Sequence, residues 1–231
     1  MVSGFDRIVI AVPDIAAATL EYERLLGVAA QSHPADKGGP AVWLGLPNVA
    51  IELVQDAVDV PTIRGLVFTS PTTPTSGEQV DNSLQLDIKL CDGLATSDLR
   101  RQAGPQGVDL RVDHLVLRTD DAQACIALFA DQLGIRLALD KTVPEWGGRM
   151  LFFRAGQLTL EVIESDRDPA GENSFWGIAY QCQDIVEMGG ALAQRGVALS
   201  DVRTGRKPGT RVATIKSHCL GIPTLLIEPA T

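Results

Sequence analysis

Apolar positions along this chain fall into short strand-like runs, interrupted three times by the same helical pattern. The run RIVIAV (7–12) leads to Asp14, placed as a helix N-cap, and then to Ala18, Tyr22, Leu25 and Leu26 at helical spacing before Gly27. The run HLVLRT (114–119) leads in the same way to Asp121, then Cys125, Ile126, Phe129 and Leu133 before Gly134. In both, the aspartate supplies oxygens for the free N–H groups of the first turn, and the glycine stops the helix. Three strand candidates follow each helix: VAAQS, AVWLGL and VAIELVQ in the first copy, and IRLALDKTV, GRMLFFRA and LTLEVIE in the second. The repeating unit is therefore βαβββ.

A third copy opens at WGIAYQCQDI, with Asp184 as its cap, GGALAQRGVAL as its helix and VATIKS and PTLLIEP as later strands. Between the first two copies, RGLVFTS, a turn-rich PTTPTSG, SLQLDIKL and GLATSDLRRQAGPQG read as a fourth unit whose helix is lost or shortened. One unit leaves a sheet face uncovered, so units are expected to pair. The predicted fold is α+β, with repeated βαβββ units paired into cup-shaped mixed sheets. The expected divisions are an N-terminal half, 1–111 (unit 1–56, degraded unit 57–111), and a C-terminal half, 112–231 (units 112–166 and 174–231).

Superposing the copies exposes one difference. Asp6 falls on Asp113, Asp14 on Asp121, Gly27 on Gly134 and Glu52 on Glu161, but Arg7 falls on His114. In the third copy Gly177 takes the histidine slot and Leu226 the glutamate slot. Strand alternation puts His114 on the face away from its helix, together with Val116. Glu161 interrupts an apolar strand, where an unpartnered carboxylate is costly.

Composition narrows the function classes. The 231 residues are 45% hydrophobic and 21% charged, the mix of a soluble globular protein with a sizeable core. A net charge of −9 and a pI near 4.8 argue against a nucleic-acid or anionic-membrane surface. No apolar run reaches the roughly 18–20 residues of a membrane span, and MVSGFDR lacks the pattern of a secretion signal. Cys91, Cys125, Cys182 and Cys219 show no CxxC pairing and read as reduced thiols in a cytoplasmic protein. The chain contains no GxxxxGK[ST], GxGxxG or GxSxG motif.

Strand–Asp–helix–LG, followed by three strands ending in a glutamate, resembles the vicinal oxygen chelate superfamily. That superfamily includes glyoxalase I, bleomycin- and fosfomycin-resistance proteins, methylmalonyl-CoA epimerase and extradiol dioxygenases. "EYERLLGV" and "ADQLGI" are similar to the family's helix end. The resemblance implies cup-shaped paired units around an open divalent-metal site (Zn, Ni, Mn, Fe or Co), with His or Gln from the first strand of a unit and Glu from its last. His114 and Glu161 match that pattern, and both are implied as catalytic residues and metal ligands. Gly177 and Leu226 do not match.

A third donor is sought in His218, which also reads as a polar turn residue. Against a metal stands a hydrogen-bonded His114–Glu161 pair in a cup without one. Arginine does not ligate metals, so Arg7 and Glu52 are expected to form a charge pair and to leave the first cup silent. Trp146, Arg149, Phe153, Trp176 and Tyr180 are candidate substrate-binding residues around the second cup, although strand aromatics also read as core. The segment RTGRKPGTR reads either as a lid over an anionic substrate or as a solvated hairpin loop. Three functions follow from the resemblance: a metal-dependent lyase or isomerase, a metal-free small-molecule-binding protein, and, last, an extradiol dioxygenase. The expected partner is a small molecule, with a homodimer as a further expectation.

Overall fold

A computed structural model describes residues 1–34, 39–73, 77–103 and 110–230, and PTTPTSG and GLATSDLRRQAGPQG lie partly outside them. The first unit comprises β1 (Gly4–Val12), α1 (Ile15–Leu26), β2 (Gln31–Pro34), β3 (Pro40–Gly45) and β4 (Ala50–Gln55). The second has β5 (Thr62–Thr69), β6 (Glu78–Gln79) and β7 (Asp87–Cys91), with α2 (Leu94–Ala103) after its last strand instead of after its first. The third has β8 (Arg111–Thr119), α3 (Ala122–Cys125) continuing as a π-helical segment (Ile126–Gln132), β9 (Arg136–Val143), β10 (Gly148–Ala155) and β11 (Leu158–Ser165). The fourth has β12 (Ser174–Gln181), α4 (Ile185–Gln194), β13 (Arg203–Thr204), β14 (Arg211–Ile215) and β15 (Thr224–Glu228).

In every unit the first and last long strands run parallel: β1 with β4, β5 with β7, β8 with β11 and β12 with β15. Paired units join through their first strands, β1 antiparallel to β5 and β8 antiparallel to β12. A contact between Phe175 and Ile63 links β12 to β5, which gives the order β2-β3-β4-β1-β5-β12-β8-β11-β10-β9. The βαβββ plan thus holds in the first, third and fourth units, the second is its variant with the helix last, and paired units form the cup-shaped mixed sheets of the fold.

The helices start where the aspartates stand. Asp14 accepts from Ala16 N and Ala17 N, Asp121 from Ala124 N, and Asp184 from Val186 N and Glu187 N. Gly27, at φ 71°, closes α1 in the left-handed region. Ala18, Tyr22, Leu25 and Leu26 are the buried face of α1. In the third unit the face shifts: Leu128 N-terminal to Phe129 is buried in place of Ile126, which is only partly covered. The cause is the wider π turn, in which Leu133 N donates to Leu128 O five residues back.

The helix-side core is continuous across both halves. Phe68 on β5 meets Phe129 beside α3 edge-on at 6.5 Å, and Phe129 meets Phe153 at 5.3 Å. Tyr22 of α1 and Tyr180 of β12 are neighbours in the same core, and burial pushes both phenols up. The four cysteines are buried and form no disulfide. Burial pushes the Cys125 thiol up to about 12 and Cys91 to about 11, so neither is a thiolate nucleophile near neutrality. Among the described residues no helix is long and apolar enough to cross a membrane.

Candidate functional site

A repeated β-bulge builds the site. Where β1 pairs with β5, Asp6 is skipped between Phe5 and Arg7, and Arg64 is skipped between Ile63 and Gly65. Where β8 pairs with β12, Asp113 and Trp176 are skipped at the same places. A bulge inserts one unpaired residue and re-aims its side chain. It therefore brings the aspartate round to its own neighbour: Arg7 Nη1 donates to Asp6 Oδ1 at 2.7 Å, and His114 Nδ1 lies 2.8 Å from Asp113 Oδ2.

The last strand of each unit supplies the opposite partner. Glu52 stands beside Val9 on β1, and Glu161 beside Val116 on β8, each one strand away from the bulge-side residue. Arg7 Nε donates to Glu52 Oε2 at 2.9 Å, while His114 Nε2 lies 3.6 Å from Glu161 Oε2. An Asp–Arg–Glu set in one half therefore stands where the other half has Asp–His–Glu. Arg7 also lies 4.5 Å from the centre of the Trp43 ring, which stacks on His33.

The two sets differ in access. Helix α2 lies across the Asp6 end of the first cup: Thr96 Oγ1 donates to Asp6 Oδ2, Arg100 Nη1 to Phe5 O, and Leu99 sits on Gly45. Asp6 is 0% exposed and Arg7 7%. The His114 and Glu161 side chains keep 19% and 15% of their surface.

Electrostatics follow from that arrangement. Burial pulls the His114 pKa down, but the Asp113 hydrogen bond and the Glu161 charge outweigh it, so the net shift is upward. The His114 hydrogen bond holds Asp113 below the usual carboxylate range. Burial raises Glu161, against the charges of His114 and of Arg206 from the β13–β14 loop. Two further arginines lie nearby. Arg154 donates to Thr159, the strand partner of His114, and with the Gln181 amide turned to suit its neighbours, Arg111 donates to Gln181 Oε1 and Gln181 Nε2 to Asp113.

Several sequence expectations are corrected here. Phe153 and Tyr180 are 0% exposed and face the helices, not the cup. The β10–β11 register pairs Glu161 with Phe152, so Phe152 and Arg154 share the glutamate's face and Phe153 has the opposite parity. Arg149 has that same opposite parity and is bound by both oxygens of Asp140 at 2.9 and 2.7 Å. His218 sits in the turn before β15 at φ 59°, with Nδ1 2.8 Å from Ser217 Oγ, and does not join His114 and Glu161. The glutamate slot of the fourth unit is Leu225, which stands beside Ala179, rather than Leu226. Trp176, at its bulge, is 48% exposed. The Trp146 side chain lies outside the described residues.

Glu228 anchors α4. It accepts from Ile185 N at 2.8 Å and holds Arg211, as Glu164 accepts from Ala122 N at 2.9 Å one repeat earlier. Arg211 is thereby taken out of the basic segment, which leaves Arg206 as the cation acting on Glu161.

The donor set does not fit the divalent metal implied by the resemblance. A catalytic metal site uses three protein donors and an open position. No group of three or more His, Cys, Asp or Glu among the described residues is arranged to hold one. Across from His114 and Glu161 the cup offers Gly177 and Leu225. A Cβ at Gly177 would lie 2.7 Å from the Pro223 carbonyl oxygen, so backbone closes the slot from which the missing ligand would come.

Comparison with known proteins places this architecture. Residues 113–214 match the family described as the Glyoxalase/Bleomycin resistance protein/Dioxygenase superfamily. An ethylmalonyl-CoA/methylmalonyl-CoA epimerase of Cereibacter sphaeroides is 33% identical over 73 residues, 31% of this chain and 54% of the relative. The chain thus matches about half the length of that curated relative. A solved structure of a triple mutant of 4-hydroxymandelate synthase from Streptomyces coelicolor covers 99% of this chain and 93% of its own, with a TM-score of 0.74 at 17% identity. Methylmalonyl-CoA epimerase from Mycobacterium tuberculosis covers 52% of this chain and 88% of its own, at 20% identity and a TM-score of 0.43. The chain has the vicinal oxygen chelate fold, and its second half carries the signature of the glyoxalase, bleomycin-resistance and dioxygenase superfamily.

Proposed function

We propose that the protein binds an anionic, oxygen-bearing small molecule in the cup of its C-terminal half, residues 112–231, without a protein-held metal. The observation that carries this reading is the composition of the wall opposite His114 and Glu161. Gly177 and Leu225 offer no donor there, so a metal-dependent lyase or isomerase lacks its third ligand. The iron site of an extradiol dioxygenase, with two histidines and a carboxylate, is lacking for the same reason. Arg154, Arg206 and Arg111 stand around the Asp113–His114–Glu161 set and favour a carboxylate or phosphate on the ligand. His114 Nε2 is the polar anchor, and Phe152 and Trp176 supply apolar surface.

A second reading is supported by the 3.6 Å approach of His114 to Glu161, with the pKa of each raised above its ordinary value. Such a pair suits proton transfer beside a carbonyl. Glu161 would remove the carbon-bound proton while His114 donates its own to the oxygen, an isomerase or lyase step that needs no metal.

Metal analysis of protein purified without chelator, followed by calorimetric titration with a panel of aryl and 2-oxo carboxylates, tests both readings. The first expects substoichiometric metal and carboxylate binding that His114→Ala weakens. The second adds solvent deuterium entering the bound ligand beside its carbonyl. Stoichiometric zinc, manganese, iron, cobalt or nickel lost in His114→Ala and Glu161→Ala would overturn both.

A further inference from the structure

We infer that the cup of the N-terminal half is a separate binding site and that it takes a small organic ammonium compound. Substitution of the histidine slot by Arg7 removes metal chemistry from this half, yet a cavity of about 300 Å³ remains in it. That lies at the lower end of the roughly 300–1,000 Å³ of small-molecule pockets. Its position has a cause. Helix α2 and the Asp6–Arg7–Glu52 set fill one end of the cup, so the open space is pushed toward Val9 and Val54.

Strand register shows what the cavity presents. Val9 on β1 pairs with Glu52 on β4 and with Gly65 on β5, and Gly65 pairs with Asp87 on β7. Glu52, Val9, Gly65 and Asp87 thus form one row across four neighbouring strands, and all four line the cavity. Two carboxylates stand at the ends of a short uncharged floor. Gly65 keeps that floor low: a Cβ there would lie 2.2 Å from the Asp87 carbonyl oxygen. Val54 and Val67 extend it, and Val54 packs with Ala11 and Ala41 in a small apolar cluster of its own.

Charge gives the ligand its sign. Glu52, Asp56 and Asp87 line the cavity against Arg64 and Lys89. Asp56 is paired with Arg64 at the mouth. Glu52 gives one oxygen to Arg7, whose charge Asp6 already balances from the far side. Among the described residues the lining therefore carries one more carboxylate than cation, over a valine floor suited to a short hydrocarbon body. A protonated amine meets both demands: its N–H groups reach the carboxylates, and its carbon skeleton covers the valines.

Ligand-observed NMR on the full chain, with benzylamine, benzyl alcohol and benzoate as probes, tests this. The three share a ring and differ in charge. Benzylamine is expected to bind at least about tenfold more tightly than benzyl alcohol, a difference of about 1.4 kcal/mol. Asp87→Asn, nearly isosteric at a half-buried position, should weaken benzylamine about tenfold. Val9→Phe, which fills the floor, should abolish binding, and His114→Ala in the other cup should leave it unchanged. Benzylamine binding that survives both Asp87→Asn and Val9→Phe, or disappears in His114→Ala, would overturn the site. So would benzyl alcohol binding as tightly as the amine, or no amine binding at millimolar concentration.

Discussion

His114 Nε2 lies 3.6 Å from Glu161 Oε2, and at the equivalent place one half earlier Arg7 Nε lies 2.9 Å from Glu52 Oε2. Arg7 and His114 are each held from behind by an aspartate on a bulge. One backbone device thus serves two purposes. Under α2 it makes a buried ion network, and in the open half it leaves a titratable pair within reach of solvent.

Removing Arg7 strands two buried carboxylates. Arg7→Ala should destabilise the protein by about 3–5 kcal/mol in urea unfolding, whereas Arg7→Met combined with Glu52→Gln and Asp6→Asn should recover much of that loss, because a buried ion set is weak net stabilisation but expensive to break. A loss below about 1 kcal/mol for Arg7→Ala would mean the network is solvated.

His114 should make the stability of the wild type depend on pH. Burial lowers its folded pKa, but Asp113 and Glu161 outweigh burial and raise it above the ordinary value, while Arg154 acts on Asp113 and Arg206 on Glu161. The stabilisation is therefore fully present below the unfolded pKa of about 6.5 and is lost as pH rises through the folded value. The stability difference between wild type and His114→Ala, measured by denaturation from pH 5.5 to 9, should shrink as pH rises. A difference that grows with pH would reverse the assigned sign.

Gly177→Ala should cost about 1–3 kcal/mol, since its Cβ would meet the Pro223 carbonyl oxygen at 2.7 Å. For the same reason Gly177→His should fail to create a metal site. A folded Gly177→His protein that takes up stoichiometric zinc would contradict the closed slot.

Arg206 sits on the β13–β14 loop and acts on Glu161 through its charge. Arg206→Ala should weaken carboxylate binding in the C-terminal cup several-fold, with melting temperature unchanged. Arg211→Ala should instead lower the melting temperature, because Arg211 holds the Glu228 that anchors α4. If calorimetry and thermal melting showed the two variants alike, the separate roles of these arginines would be wrong.

The sequence alone carried the periodic features. The Asp14, Asp121 and Asp184 caps, the buried face of α1 and the matching of Arg7 with His114 and Glu52 with Glu161 are local patterns, legible because helix and strand repeat every few residues. The parity of β10 was legible too. A tight turn joins Ala155 to Leu158, and counting back from it pairs Phe152, not Phe153, with Glu161. Other features depended on segments far apart in the chain. No local rule announces the bulges at Asp6, Arg64, Asp113 and Trp176, because a bulge is a property of two paired strands. The same holds for the burial of Tyr180 against α1, for Leu225 as the fourth glutamate slot and for α2 lying over Asp6. Above all, Gly177 read as a missing histidine. Only the approach of the Pro223 carbonyl, just before β15, shows that no side chain fits there, and steric exclusion of that kind exists only once the sheet has formed.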